Sequence, residues 1–150
     1  MAYYRKVFFS FKWSDVTRAE VVRNSYVTKG GQQAARYIDK AQREEVKKQS
    51  DLAIKRWINK QMRGTTVTVV LVGEDTCRSR WVRYEIEHTI AEGNGLLEID
   101  ISKIKDLRGQ TSNCCGRMVP NEYPHYLWFK GNGYENLGDW VEKAAREAGY

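Results

Sequence analysis

The sequence is poor in what would place it outside the ordinary globular class. It has two prolines, Pro120 and Pro124, in 150 residues, which argues against extended disorder. No run of about 18 apolar residues occurs, so no membrane span is expected. The opening MAYYRKVFFSFKW places charges before an apolar run that stops at Lys12, unlike a secretory leader. A cytoplasmic protein is the expectation. Histidine is scarce, with only the isolated His88 and His125. Cysteine is scarce too: Cys77, Cys114 and Cys115. An odd number with two adjacent is a poor disulfide framework. Adjacent cysteines rarely bridge each other, and the pair lacks zinc spacing. No metal and no resident cofactor are therefore expected.

What is present is a soluble composition, 41% hydrophobic and 29% charged. The length suits a single domain spanning residues 1–150. The net charge of +6 favours an anionic partner, either nucleic acid or a phosphate-bearing small molecule. The basic residues are scattered among acids, with no basic run, so nucleic acid is not the favoured partner.

Hydrophobic period places the elements. KVFFSF, residues 6–11, reads as a first strand. Ser14 or Asp15 is positioned to cap a helix over 16–25. AARYI, residues 34–38, is a candidate second strand, followed by a charged helical stretch at 42–48. A helix opens at Ser50 or Asp51 and carries Leu52, Ile54, Trp57, Ile58 and Met62 on one stripe, ending at Gly64. TTVTVVLV, 65–72, is a strand apolar enough to be buried on both faces. A polar loop over 73–80 leads to a helix closed by Gly93 and Gly95. LLEIDI, 96–101, is the next strand. Residues 103–124 are irregular and long for a loop. YLWF, 126–129, is a last strand, and 136–148 is a closing helix. Strands alternating with helices predict an α/β, flavodoxin-like three-layer sandwich around a mostly parallel sheet.

Ligands in such folds bind at the carboxyl ends of the strands. The loop after the third strand feeds the helix RWVRYEIEHTIAEG. On its wheel Val82, Ile86, Thr89 and Ile90 face inward. Trp81 and Glu85 lie one turn apart on a flank, while Glu87 falls on the exposed side. Glu85 then has two readings: a half-shielded carboxylate beside an aromatic ring, or the partner of a nearby arginine.

Several blocks carry a resemblance. KVFFSFKWSD looks like the opening box of TIR domains, and TVTVVLVGEDTCRSRWVRYEIEHTI resembles their third strand, loop and following helix. WVRYE matches the tryptophan and, four residues on, the catalytic glutamate of NAD-cleaving TIR domains, at Trp81 and Glu85. VVRNSYVT, DLAIKRWINKQMRGTTVTVVLVG and GNGLLEIDISKIKDLRG are similar to the TIR-like subunit of Thoeris antiphage defence systems. The resemblance covers roughly residues 5–110.

The resemblance implies a TIR-like fold and NAD+ as substrate. It implies cleavage of the nicotinamide–ribose bond, a cyclic ADP-ribose signal and a partner effector that the signal activates. A phage protein as trigger and a homo-oligomer are further family expectations. Glu85 takes the catalytic place, where it would stabilise a ribosyl oxocarbenium ion. A carboxylate near the ordinary pKa of about 4.3, or modestly above, would serve. Phe11 and Lys12 match positions lining the substrate pocket, with Ser10 and Trp13 beside them. Asp39 falls where the family's mobile loop begins. Trp81 could stack on a substrate ring or pack as core. The loop over 30–49 and the segment around Cys114 and Cys115 depart from the family pattern. A TIR-type interaction module without enzyme activity is the rival reading. A flavin or phosphoacceptor domain lacks its phosphate loop or acidic cluster here.

Overall fold

The computed structural model describes residues 5–33 and 48–150. Within them five strands form one sheet: β1 (Lys6–Ser10), β2 (Gln32–Gln33), β3 (Val67–Val72), β4 (Gly95–Asp100) and β5 (His125–Leu127). Their order is β2-β1-β3-β4-β5 and every pairing is parallel. Four α-helices cover it: α1 (Val16–Thr28), α2 (Asp51–Met62), α3 (Arg80–Ala91) and α4 (Gly133–Glu147).

Strand alternation divides the core into two layers. Val7, Phe9, Val67, Val69, Leu71, Leu97 and Ile99 point to one face, where α1 supplies Ala19, Val22 and Tyr26 and α4 supplies Leu137, Val141, Ala144 and Ala145. On the other face Val70, Val72 and Leu96 meet Val82 and Ile86 of α3. There too Phe8 meets Ile54, Ile58 and Met62 of α2. All six residues of β3 are buried, Thr68 among them, as its near-continuous apolar run leads one to expect.

Several boundaries differ from the sequence reading. The second strand pairs with β1 at Gln32 and Gln33, ahead of the expected 34–38, which lies outside the described residues together with 42–47. Register against Lys6 and Val7 decides this, not propensity. The cap expected from Ser14 or Asp15 is absent: Asp15 occupies the N-cap position of α1 without a side-chain cap bond. Its carboxyl turns instead to Arg18, 3.1 Å away. Leu52 and Ile90 are 57% and 38% exposed. Ile90 stands about 80° around the wheel from Val82, beyond the narrow stripe that touches the sheet. β5 starts at His125 and stops at Leu127, leaving Phe129 exposed.

The cysteine expectation is corrected as well. Cys77 and Cys115 form a disulfide, with Cα atoms 6.0 Å apart. The pairing joins two loops that only the fold brings together, and counting cysteines along the chain is blind to it.

No helix lies between β4 and β5 in this chain. Residues 112–119 instead run over the α3 face of the sheet, with Val119, Met118 and Cys114 packed on its apolar cluster. An extended cover has backbone donors to satisfy. Glu98, an acid inside β4 with 0% exposure, meets that need. Its Oε1 accepts from the N–H groups of Met118 (2.8 Å) and Val119 (3.0 Å), and its Oε2 lies 2.5 Å from His125 Nδ1.

The winding order reverses at β1: the chain goes from β1 to β2 on one side and then to β3 on the other, all strands staying parallel. The crevice above the carboxyl ends of β1 and β3 is the place where such sheets hold ligands. Gly73 follows β3 there because Asp15 packs against its Cα; a Cβ at this position would lie 2.1 Å from Asp15 Oδ2.

Candidate active site

The helix that follows β3 is placed by three local devices. Ser79 caps it, its hydroxyl accepting from Val82 N–H at 3.2 Å. Val82 and Ile86 press it onto the sheet. Thr89, fully buried, donates to the Glu85 carbonyl at 2.7 Å and meets Thr68 Oγ1 of β3 at 2.7 Å. That hydroxyl pair fixes the height of the Glu85 turn over the sheet.

Glu85 is thereby turned inward and is 9% exposed, more enclosed than the half-shielding its wheel position implies. Ser10, the last residue of β1 and 1% exposed, donates its hydroxyl to Glu85 Oε1 at 2.7 Å. Ser10 shares the Phe8 face of the strand, which is the α2–α3 face. The Glu85 contact is thus to a strand-end hydroxyl rather than to an arginine. Burial pushes the carboxyl up to about 8, and the Ser10 hydrogen bond only partly offsets this. The expectation of a carboxylate near its ordinary pKa is corrected. Removal from water, invisible on a helical wheel, dominates.

The other predicted site residues divide. Phe11 points to the opposite face, packing on the α1–α4 core with the Arg23 guanidinium 5.7 Å from its ring centre. Lys12 and Trp13 follow at the rim, both partly buried, with Trp13 opening a 3-10 turn over Trp13–Asp15. Trp81 is partly buried against the Phe8, Ile54, Ile58 and Met62 cluster. It meets Tyr84 edge-on at 6.1 Å, and the Arg80 guanidinium lies 4.5 Å from its ring. The structure therefore brings Ser10 to Glu85, keeps Trp81 one turn away, and separates Phe11 from both. Asp39 lies outside the described residues.

Sequence reasoning passed over a second buried cluster at this rim. Asp15 is 4% exposed, and its Oδ2 has no hydrogen-bond partner among the described residues. Burial raises its carboxyl despite Arg18. Arg18 in turn donates to the carbonyls of Ile104 (2.7 Å) and Gln110 (2.9 Å), tying the segment after β4 to α1. A signal was available: an arginine one turn into a helix that opens after an Asp.

A cavity of about 560 Å³ lies away from this rim, lined by residues that include Arg63, Thr66, His88, Asn94 and Tyr150. It sits at the opposite end of the sheet, beside the start of β3. Among the described residues no three His, Cys, Asp or Glu side chains converge as a metal site, and no helix is long and apolar enough to cross a membrane.

The structure thus brings two residues singled out by the TIR resemblance, Ser10 and Glu85, into hydrogen-bond contact at the rim. Comparison with known proteins bears on the family. The family profile described as Thoeris protein ThsB, TIR-like domain, matches residues 8–106. A protein of Bacillus cereus (strain MSX-D12), ThsB1, by name a candidate cyclic ADP-D-ribose synthase, is 48% identical over 139 residues. That alignment covers 91% of this chain and 71% of the relative. On the fold and these two matches, the chain belongs to the family of TIR-like domains of the Thoeris protein ThsB.

Proposed function

We propose that this chain cleaves the nicotinamide–ribose bond of NAD+ and joins the resulting ADP-ribosyl group into a cyclic ADP-ribose-type product. In Thoeris-type antiphage defence that product would act as a second messenger on a partner effector protein. The carrying observation is the buried Glu85 carboxyl, oriented by Ser10 at the carboxyl rim of the sheet. The relative whose name refers to cyclic ADP-D-ribose synthesis supports the product class.

The chemistry fits one carboxylate. The bond from the ribose carbon to the ring nitrogen breaks, and its electron pair neutralises the cationic pyridinium, so the leaving group needs no acid. Positive charge moves onto the sugar, and an adjacent ionised carboxylate stabilises it most in the transition state. Glu85 Oε1 is held by Ser10, which leaves Oε2 for the ribose. A nucleophile elsewhere on the same nucleotide then bonds to the sugar carbon. Exclusion of water favours ring closure over hydrolysis.

The raised carboxyl adds a step. In the free protein at neutral pH Glu85 is largely protonated. An arriving nicotinamide cation offers the opposite charge that favours ionisation. Lys12 at the rim is the group assigned to the pyrophosphate, Trp13 flanks the pocket and Trp81 backs the Glu85 turn. The resemblance also assigns Phe11 and Asp39 to substrate binding, but Phe11 packs on the opposite face of the sheet and Asp39 lies outside the described residues. The substrate is NAD+ and no further cofactor is required. The setting is the cytoplasm, where NAD+ is held. A phage component is the trigger and self-association the activating step in this reading.

The test is incubation of the protein with NAD+, with and without infected-cell lysate, and identification of nucleotides by mass spectrometry. Glu85→Gln is expected to lower turnover by about 10²–10³ or more, while Glu87→Gln, altering an exposed residue, stays near wild type. Equal turnover by Glu85→Gln removes Glu85 from the role.

A further inference from the structure

Two loops at the carboxyl rim carry chemistry that the proposed reaction does not use. Cys77 lies in the short turn Thr76–Arg78, two residues before the Ser79 cap of α3. Cys115 lies in the extended cover that follows β4. Their disulfide spans 38 residues of sequence. Cys115 is exposed and Cys77 partly so, so soluble thiols and disulfides can reach the pair.

The bridge stands at a junction. Cys115 N–H donates to the Gly73 carbonyl at 3.0 Å, and Cys77 N–H is directed at Cys115 Sγ at 3.1 Å. The Arg83 guanidinium, on α3, donates to the Cys77 carbonyl at 2.7 Å. The covalent link thus joins the loop after β3 to the segment 112–116, and the Arg83 hydrogen bond ties that loop to the first turn of α3. Without it the segment keeps the Cys115–Gly73 bond, a Ser112 N–H bond to the Ser102 carbonyl at 2.8 Å, and the packing of Cys114. Gly116, at φ +122°, is a ready pivot.

We propose that Cys77 and Cys115 form a reversible thiol–disulfide site whose oxidation orders the loop that launches α3 and strengthens ligand binding at the crevice. The ligand half of this rests on the placement of the reaction at Glu85. Exposed disulfides between loops are the labile, regulatory kind, and inside cells such bonds are mostly transient.

The exchange balances with a low-molecular-weight disulfide such as oxidised glutathione. The Cys115 thiolate attacks one glutathione sulfur and expels a glutathione thiolate. The Cys77 thiolate then attacks Cys115 Sγ of the mixed disulfide and expels the second. The two protons lost by the protein thiols are taken up by the two glutathione thiolates. Protein thiols are oxidised and one glutathione disulfide is reduced to two thiols. Cys114 stays outside the exchange: its side chain packs on the Val70–Val72 cluster, and burial raises its thiol so that it remains protonated.

The experiment equilibrates wild-type protein in glutathione buffers from reduced to oxidised. It measures bridge fraction by differential alkylation and mass spectrometry, hydrogen exchange at 73–79 and 112–116, and affinity for ADP-ribose by calorimetry. The bridge fraction is expected to follow the buffer, exchange in both segments to slow as it rises, and ADP-ribose affinity to rise several-fold. Cys115→Ser abolishes these responses and Cys114→Ser keeps them. A bridge indifferent to the buffer, exchange indifferent to the bridge, or a response that survives Cys115→Ser overturns the site. Equal ADP-ribose affinity in the two states, including none in either, overturns the coupling. Alkylation and exchange do not depend on NAD+ cleavage, so an inactive protein with a responsive loop would count against the proposed function and leave the redox site standing.

Discussion

Replacing Glu85 by Gln should stabilise the fold above neutral pH while abolishing its chemistry. The carboxyl has a folded pKa of about 8 against a reference of 4.5. Between those values the native state holds a proton that the unfolded chain releases. The unfolded state binds fewer protons there, so stability falls as pH rises. Each unit of separation is worth about 1.4 kcal/mol. From pH 5 to pH 8 the accumulated loss is about 3–4 kcal/mol, a large part of a typical domain's stability. Gln carries no charge to desolvate, and its amide oxygen can still accept from Ser10 Oγ. The assay is urea unfolding of wild type and Glu85→Gln at pH 5, 6, 7 and 8. The gap between them is expected to be small at pH 5 and to widen steadily in favour of Gln. Parallel pH profiles would refute the reasoning, since they would mean that the carboxyl titrates alike folded and unfolded and is not the buried group the mechanism employs.

The same burial predicts that kcat/KM for NAD+ rises with pH and levels off above about 8, because the free enzyme must ionise Glu85. The kcat profile, which reports the complex, should sit at lower pH, and initial rates across pH 5.5–9.5 would show it. Ser10→Ala removes the hydrogen bond that favours the ionised form, so the apparent pKa in kcat/KM should move upward, with turnover at pH 7 reduced; an unmoved profile would assign Ser10 to strand packing alone. Glu98→Ala leaves the Met118 and Val119 N–H groups without their acceptor and should cost about 2–4 kcal/mol by urea unfolding. Hydrogen exchange at 117–120 should accelerate, and Glu98→Gln should be milder than Ala.

How much of this was legible depended on the kind of signal. The near-continuous apolar run of β3, the Ser50 cap and the Ile54–Ile58–Met62 stripe are local, and the structure keeps them. Glu85 was singled out by a wheel and a resemblance, and its inward direction follows from the Val82–Ile86 stripe beside it. Its degree of burial was not legible, because that depends on Ser10 of β1, 75 residues away. Glu98 was not singled out within LLEIDI. An acid within an otherwise buried strand is itself a signal that something must satisfy it.

The periodicity and composition of the chain were enough to decide a parallel α/β sheet and the helix that bears the candidate carboxylate, because both are set by residues close in sequence. Tertiary structure alone decided which groups meet across the rim. It put Ser10 against Glu85, Cys77 against Cys115 and the Glu98 carboxyl under the 112–119 cover. The physical reason is that pKa, hydrogen-bond satisfaction and thiol pairing depend on distance and on exclusion of water, and both arise only when strands distant in the chain are laid side by side.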